Sequence, residues 1–257
     1  MCKKNILASR YFILLSFKGT LYHGWQRQPK SATVQKILEE ALSLLLNEKI
    51  SLTGAGRTDA GVHALVFCAH FDSQEEDLCT SNRLISRLNR YLPSDIAVRD
   101  IRKVLPAANA RYSAISRTYQ YFISTAKDPF RIDTSWHLSY RLNIELMNEA
   151  CRILREAEDF ASFCKLHSDN KTTLCRIYHA SWTEDGDSIV FTIKADRFLR
   201  NMVRAIVGTM IMVGRGKLSL DDFKRIIQSR ERSEAGMSAP AKGLFLTDLE
   251  YPDELFI

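Results

Sequence analysis

The sequence lacks any apolar run near the roughly 20 residues needed to cross a bilayer. Its 6 cysteines, Cys2, Cys68, Cys79, Cys151, Cys164 and Cys175, form no C-x-x-C pair. Scattered cysteines in a chain of 257 residues read as reduced thiols, not as a disulfide scaffold. Proline is scarce, at 6 residues, and there is no Pro/Gly-rich linker, low-complexity tract or internal repeat. The start carries no export signal, because Arg10 interrupts the apolar stretch after Lys3 and Lys4. The expected location is therefore the cytoplasm. Charge of one sign is also modest. The formal balance is +6, which permits a polyanionic partner without requiring one. The 22 Arg outnumber the 14 Lys, and Arg is the side chain that grips phosphate with two bonds.

Periodicity fills in what is present. Residues 10–18, 64–71, 96–104, 117–125 and 243–250 have the β-branched and aromatic content of strands. Residues 49–56 also read as a strand. Two more strands are expected around 174–183 and 188–195, joined by a turn at Glu184-Asp185-Gly186-Asp187. Ser31-Ala32-Thr33 opens a helix with Val34, Leu38, Ala41, Leu42 and Leu45 on its apolar stripe. Thr80-Ser81 caps a second helix, with Leu84, Ile85 and Leu88. Further helices are expected over 144–158 and 198–213. Ser219 and Asp222 stand in capping-box spacing before a last one. Strands and helices are mixed without strict alternation. The expected fold is α+β with a largely antiparallel mixed sheet and flanking helices. Pro106-Ala107-Ala108-Asn109 marks a boundary, giving halves of 1–105 and 106–257.

The chemistry-bearing stretch is Leu52-Thr53-Gly54-Ala55-Gly56-Arg57-Thr58-Asp59-Ala60-Gly61-Val62-His63-Ala64. No Gly-Lys-Ser/Thr follows, so it is not a Walker loop. Its G-x-G-x-x-x-x-G spacing with a strand after it is not a dinucleotide fingerprint. It reads as a tight loop holding an acid and a base two positions apart. Alternate residues of an extended segment share a face, so Arg57 and Asp59 can point the same way. An Arg beside an Asp keeps the carboxylate ionised and oriented, as a nucleophile requires. The plainer reading is an Asp bonded to its own turn.

Several blocks stand out along the chain: Gly19-Thr20-x-Tyr22-x-Gly24-Trp25-Gln26-x-Gln28, Thr33-Val34-Gln35-x-x-Leu38-Glu39-x-Ala41-Leu42 and Gly56-Arg57-Thr58-Asp59-Ala60-Gly61-Val62-His63-Ala64. Later come Arg117-Thr118-Tyr119-x-Tyr121, Phe198-Leu199-Arg200-Asn201-Met202-Val203-Arg204 and Ala239-Pro240-Ala241-x-Gly243-Leu244-x-Leu246. Together they resemble the TruA-type tRNA pseudouridine synthases, and they follow that family's order over nearly the whole chain. Lys18 departs from it, standing where the family often has Asp before Gly-Thr.

The resemblance implies a two-domain fold with a catalytic cleft between the halves. It implies isomerisation of uridine to pseudouridine in the tRNA anticodon stem-loop by a homodimer, with no cofactor and no metal. Asp59 is then the catalytic residue, Arg57 pairs with it, and Tyr119 stacks on the uracil. Arg204, Arg200, Leu244 and Tyr121 are implied in substrate binding. Arg197, Arg200 and Arg204 are expected on one face of the helix over 198–213. Two other readings compete. A non-catalytic RNA-binding module suits the aromatic strand but leaves the Asp59 loop without a purpose. A zinc site would use Cys164-x-x-His167 with Cys175-x-x-x-His179.

Overall fold

The structure is a computed structural model that describes residues 8–78, 83–165 and 171–257. The expected cap at Thr80-Ser81 and the zinc candidate His167 lie outside the described residues. The chain divides into two compact units. The first is residues 1–115 with 248–257, and the second is residues 116–247. Pro106–Asn109 lies within the first unit, and the chain's last residues return to it.

The first unit runs β1 (Ser9–Phe17), α1 (Val34–Leu46), β2 (Thr53–Gly54), β3 (His63–Ser73), α2 (Arg83–Tyr91) and β4 (Ile96–Val104). β1 is the central strand, antiparallel to both β3 and β4, with Tyr11 opposite Phe71 and Leu15 opposite Phe67. Both faces of β1 are covered, which is why its sequence is a continuous apolar run rather than an alternating one. On one face Phe17 stacks with Trp25, and Trp25 stacks on Phe67. On the other, Phe12 meets Tyr251 and Phe256 edge-on, so the C-terminal segment closes this core.

The second unit runs β5 (Ser116–Ser124), β6 (Trp136–His137), α3 (Ile144–Glu156), β7 (Ile177–Asp185), β8 (Ser188–Ala195), α4 (Met202–Gly214), α5 (Leu220–Ser229) and β9 (Leu244–Glu250), whose last three residues belong to the first unit. β8 lies between β5 and β7, antiparallel to both, and the short β6 runs parallel to β5. The pairings bear out the expected α+β class with mostly antiparallel strands. The capping box of Ser219 and Asp222 is present at α5.

Three elements differ from expectation. The strand expected over 49–56 is reduced to Thr53–Gly54, because Leu52 spends its backbone groups on side chains of α1. The turn after β7 tightens to Gly186-Asp187, with Glu184 and Asp185 still in the strand and Gly186 at φ 55°. The helix expected from 198 begins at Met202, because Asn201 adopts a left-handed conformation at φ 66°. Arg197 and Arg200 therefore precede the helix, and of the three arginines only Arg204 lies on it.

Candidate active site

The loop between β2 and β3 is shaped by the segment before α1. Thr58 is buried between exposed Arg57 and half-buried Asp59, so the alternation of an extended segment holds. The inward Thr58 hydroxyl accepts the Trp25 backbone N–H at 3.0 Å. After Asp59 the chain turns. Val62 N–H donates to the Asp59 carbonyl at 3.2 Å, with Gly61 at φ 79°. Gly61 N–H donates in turn to the Tyr22 carbonyl at 3.2 Å. His63 closes the arrangement, its Nδ1 accepting the Gly19 N–H at 2.9 Å. The Asp59 backbone is thus pinned on both sides, and by residues far from it in sequence.

Gly24 explains the close approach. Its φ is +84°, and a Cβ there would stand 2.2 Å from the Thr58 carbonyl oxygen. The hydroxyl of Tyr22 bonds the Asp95 carboxylate, and burial together with that acid pushes the hydroxyl well above its usual pKa. It stays protonated as a structural donor. The Arg57 side chain is exposed, two positions from the half-buried Asp59.

The second unit carries the other candidates. Tyr119 is half-buried on β5, its ring edge-on to Phe198 at 5.1 Å. Tyr121, two residues on and on the same strand face, is fully buried and donates its hydroxyl to the Pro240 carbonyl at 2.8 Å. Burial raises that hydroxyl far above its usual range, with Arg204 opposing. A side chain so enclosed offers no surface to a substrate, so Tyr121 anchors the segment before β9 instead. Arg204 is half-buried in the first turn of α4. Its Nε donates to the Ala239 carbonyl at 2.7 Å while Ala239 N–H donates back to the Arg204 carbonyl at 2.9 Å. The segment ends at Leu244, which is buried. Arg200 is exposed, and its carbonyl accepts the Lys165 N–H.

The family model for tRNA pseudouridine synthases matches residues 13–113 and 150–252. The chain belongs to the tRNA pseudouridine synthase family. The tRNA pseudouridine synthase A of Parabacteroides distasonis is 53% identical over 247 residues, 96% of this chain and 98% of that protein. That of Bacteroides thetaiotaomicron is 51% identical over 250 residues, 96% of this chain and 92% of that protein. The more distant one of Caldicellulosiruptor bescii is 38% identical over 250 residues, 96% of this chain and all of that protein. Asp59 falls inside the first matched segment, and Arg200, Arg204 and Leu244 inside the second, whereas Tyr119 and Tyr121 lie between the two.

Among the described residues, no three or more His, Cys, Asp or Glu side chains form a group that could hold a metal ion. Among them, too, no helix is long and apolar enough to cross a membrane. Sequence reasoning gave no role to Gly24, Trp25, Thr58 or His63, which hold the Asp59 loop. It also assigned none to Gln35 and Glu39, two buried polar residues of α1. A signal for the last two was present. Glutamine and glutamate four apart interrupt an otherwise apolar stripe, and buried polar side chains are there to be bonded.

Proposed function

We propose that this chain isomerises uridine to pseudouridine in tRNA, with Asp59 as the catalytic residue. The observation that carries the reading is a half-buried carboxylate whose neighbours Thr58 and Gly61 are both pinned, in a chain of this family. Pre-positioning of this kind is what a carboxylate acting on one sugar or base atom requires. The N1–C1′ bond breaks, the uracil turns over, and C5 bonds to C1′. The hydrogen leaving C5 is balanced by the one gained at N1, so the product is an isomer. Asp59 serves as the nucleophile at C1′ or on the ring, or as the base that takes the 2′ proton. All three routes need an ionised carboxylate beside the ribose.

The remaining candidates take supporting roles. The target base must leave its stack, at a cost of a few kcal/mol. The half-buried Tyr119 ring stacks on the extruded uracil, and Leu244 supplies an apolar contact. Arg57, Arg200 and Arg204 meet phosphate or hold the flipped nucleotide's place. Arg57 and Arg200 have the exposure this needs. The same reading takes the anticodon stem-loop as the target, a homodimer as the working form and the cytoplasm as the location. Its support is the resemblance; the names of the relatives support tRNA as the substrate.

The test uses unmodified tRNA and carbodiimide mapping of pseudouridine, with filter binding alongside. Asp59→Ala and Asp59→Asn are expected to form no product while still binding tRNA. Substantial turnover by either variant removes Asp59 from the chemistry. Wild-type protein that binds tRNA and leaves every uridine unchanged is a binding module instead.

A further inference from the structure

Glu39 is 5% exposed, on a helix whose other buried residues are Gln35 and the apolar Val34, Leu38, Ala41 and Leu42. Burying a carboxylate carries a desolvation penalty, and an apolar side chain of similar volume often serves stability as well or better. Glu39 is bonded through both of its oxygens. Its contacts show what it joins. One oxygen accepts Gln35 Nε2 at 3.0 Å and the Leu52 backbone N–H at 3.0 Å. The other accepts the Arg27 guanidinium at 2.9 Å.

Gln35 repeats the same connections. Its Oε1 accepts the Arg27 backbone N–H at 2.8 Å and Gln26 Nε2 at 3.0 Å, while its Nε2 also donates to the Leu52 carbonyl at 2.9 Å. Leu52 is therefore held by both backbone groups, and Arg27 by backbone and side chain. These are the roots of the two segments that meet at the Trp25 N–H···Thr58 Oγ1 bond. The helix start binds the first segment directly as well, since Val34 and Gln35 N–H donate to the Gly24 and Trp25 carbonyls. Those first N–H groups are thus already used and offer no anion site.

We infer that Glu39 is a positioning residue for Asp59: through Gln35, Arg27 and Leu52 it fixes the register between the Gly24–Arg27 arm and the loop that carries the carboxylate. The inference rests on the reading of Asp59 given above. In Glu39→Gln the amide must turn its nitrogen toward either the Arg27 guanidinium or the Leu52 N–H. Both are donors, so one of the two connections is lost while the shape is kept.

The experiment measures steady-state turnover of unmodified tRNA by Glu39→Gln, Thr58→Val and the double variant, with melting curves for each. Glu39→Gln is expected to lower kcat about tenfold or more, as a displaced catalytic group does. Its KM for tRNA should stay within about threefold and its fold remain intact. The double variant is expected to lose less than the product of the two single losses, because both act on one loop geometry. Unchanged kcat overturns the inference. So does a loss that only tracks the unfolded fraction, or two losses that multiply. If Glu39→Gln does not fold, Glu39→Met removes the buried charge at similar length and is read the same way. Turnover in Asp59→Asn is a separate outcome, which overturns the reading of Asp59 whatever Glu39 does.

Discussion

Substituting Gly24 by alanine tests whether the arm before α1 sets the place of Asp59. Two costs follow from the geometry. The backbone at φ +84° is a conformation L residues avoid, at about 1–2 kcal/mol. The added Cβ would stand 2.2 Å from the Thr58 carbonyl oxygen and 3.2 Å from the Asp59 carbonyl carbon. Carbon and carbonyl oxygen settle at about 3.3 Å or more, so the Thr58 carbonyl must retreat by roughly 1 Å. It cannot do so alone, because the Thr58 hydroxyl is tied to Trp25 and Gly61 to Tyr22. The shift passes to Asp59. A displacement of about 1 Å at a catalytic group costs on the order of 100-fold in rate. Gly24→Ala is thus expected to lose about 100-fold in kcat at saturating tRNA and roughly 2 kcal/mol of stability. Carbodiimide time courses and urea midpoints read the two effects separately. Gly56→Ala supplies the comparison within the same loop. A Cβ there meets nothing within 4 Å, and the backbone has no positive φ, so its midpoint should stay level or rise. The reasoning fails if Gly24→Ala turns over within about twofold of wild type, or if Gly56→Ala is the more destabilising of the two.

Tyr121→Phe strands the Pro240 carbonyl and should cost about 1–3 kcal/mol in urea unfolding, with the KM for tRNA unchanged; a raised KM at unchanged stability would restore Tyr121 as a substrate contact. Below neutral pH the first unit should weaken through His70. Burial, then Arg10, lowers its pKa below 6.5, and its Nδ1 accepts the Ala110 N–H, which protonation forbids. The stability His70 provides is complete above 6.5 and is lost as the pH falls through the lowered folded value. Urea midpoints between pH 7.5 and 5 should therefore fall more steeply for wild type than for His70→Asn, whose amide oxygen takes the place of Nδ1 and keeps the acceptor; equal slopes refute this. Arg200→Gln should weaken tRNA binding and flatten its salt dependence by up to about 0.9 log units per log unit of salt. An unchanged slope means Arg200 touches no phosphate.

Much of this architecture was legible because its causes are local. The apolar stripe of α1, the capping box of α5 and the β-branched runs of β1, β3 and β4 are short-range patterns, and the structure follows them. The Asp59 loop was recognisable as a dense cluster of Gly, Arg, Thr and Asp. Where local reading failed, a non-local contact or a single dihedral decided. The left-handed Asn201 delays α4 and separates Arg200 from Arg204. Tyr121 and Tyr119 share a strand face, yet one is enclosed beneath Pro240 and Gly243 while the other is half-buried.

By itself, then, the sequence determined the class of fold, the order of its elements and the identity of the loop that carries Asp59. Only the tertiary structure decided what holds that loop. The Trp25–Thr58 bond, the Tyr22–Gly61 bond, the close approach of Gly24 and the Glu39–Gln35 junction link residues as much as 39 positions apart. Such links leave no periodic trace. Each is one polar group meeting another after the chain has folded, and the burial that makes the meeting obligatory exists only then.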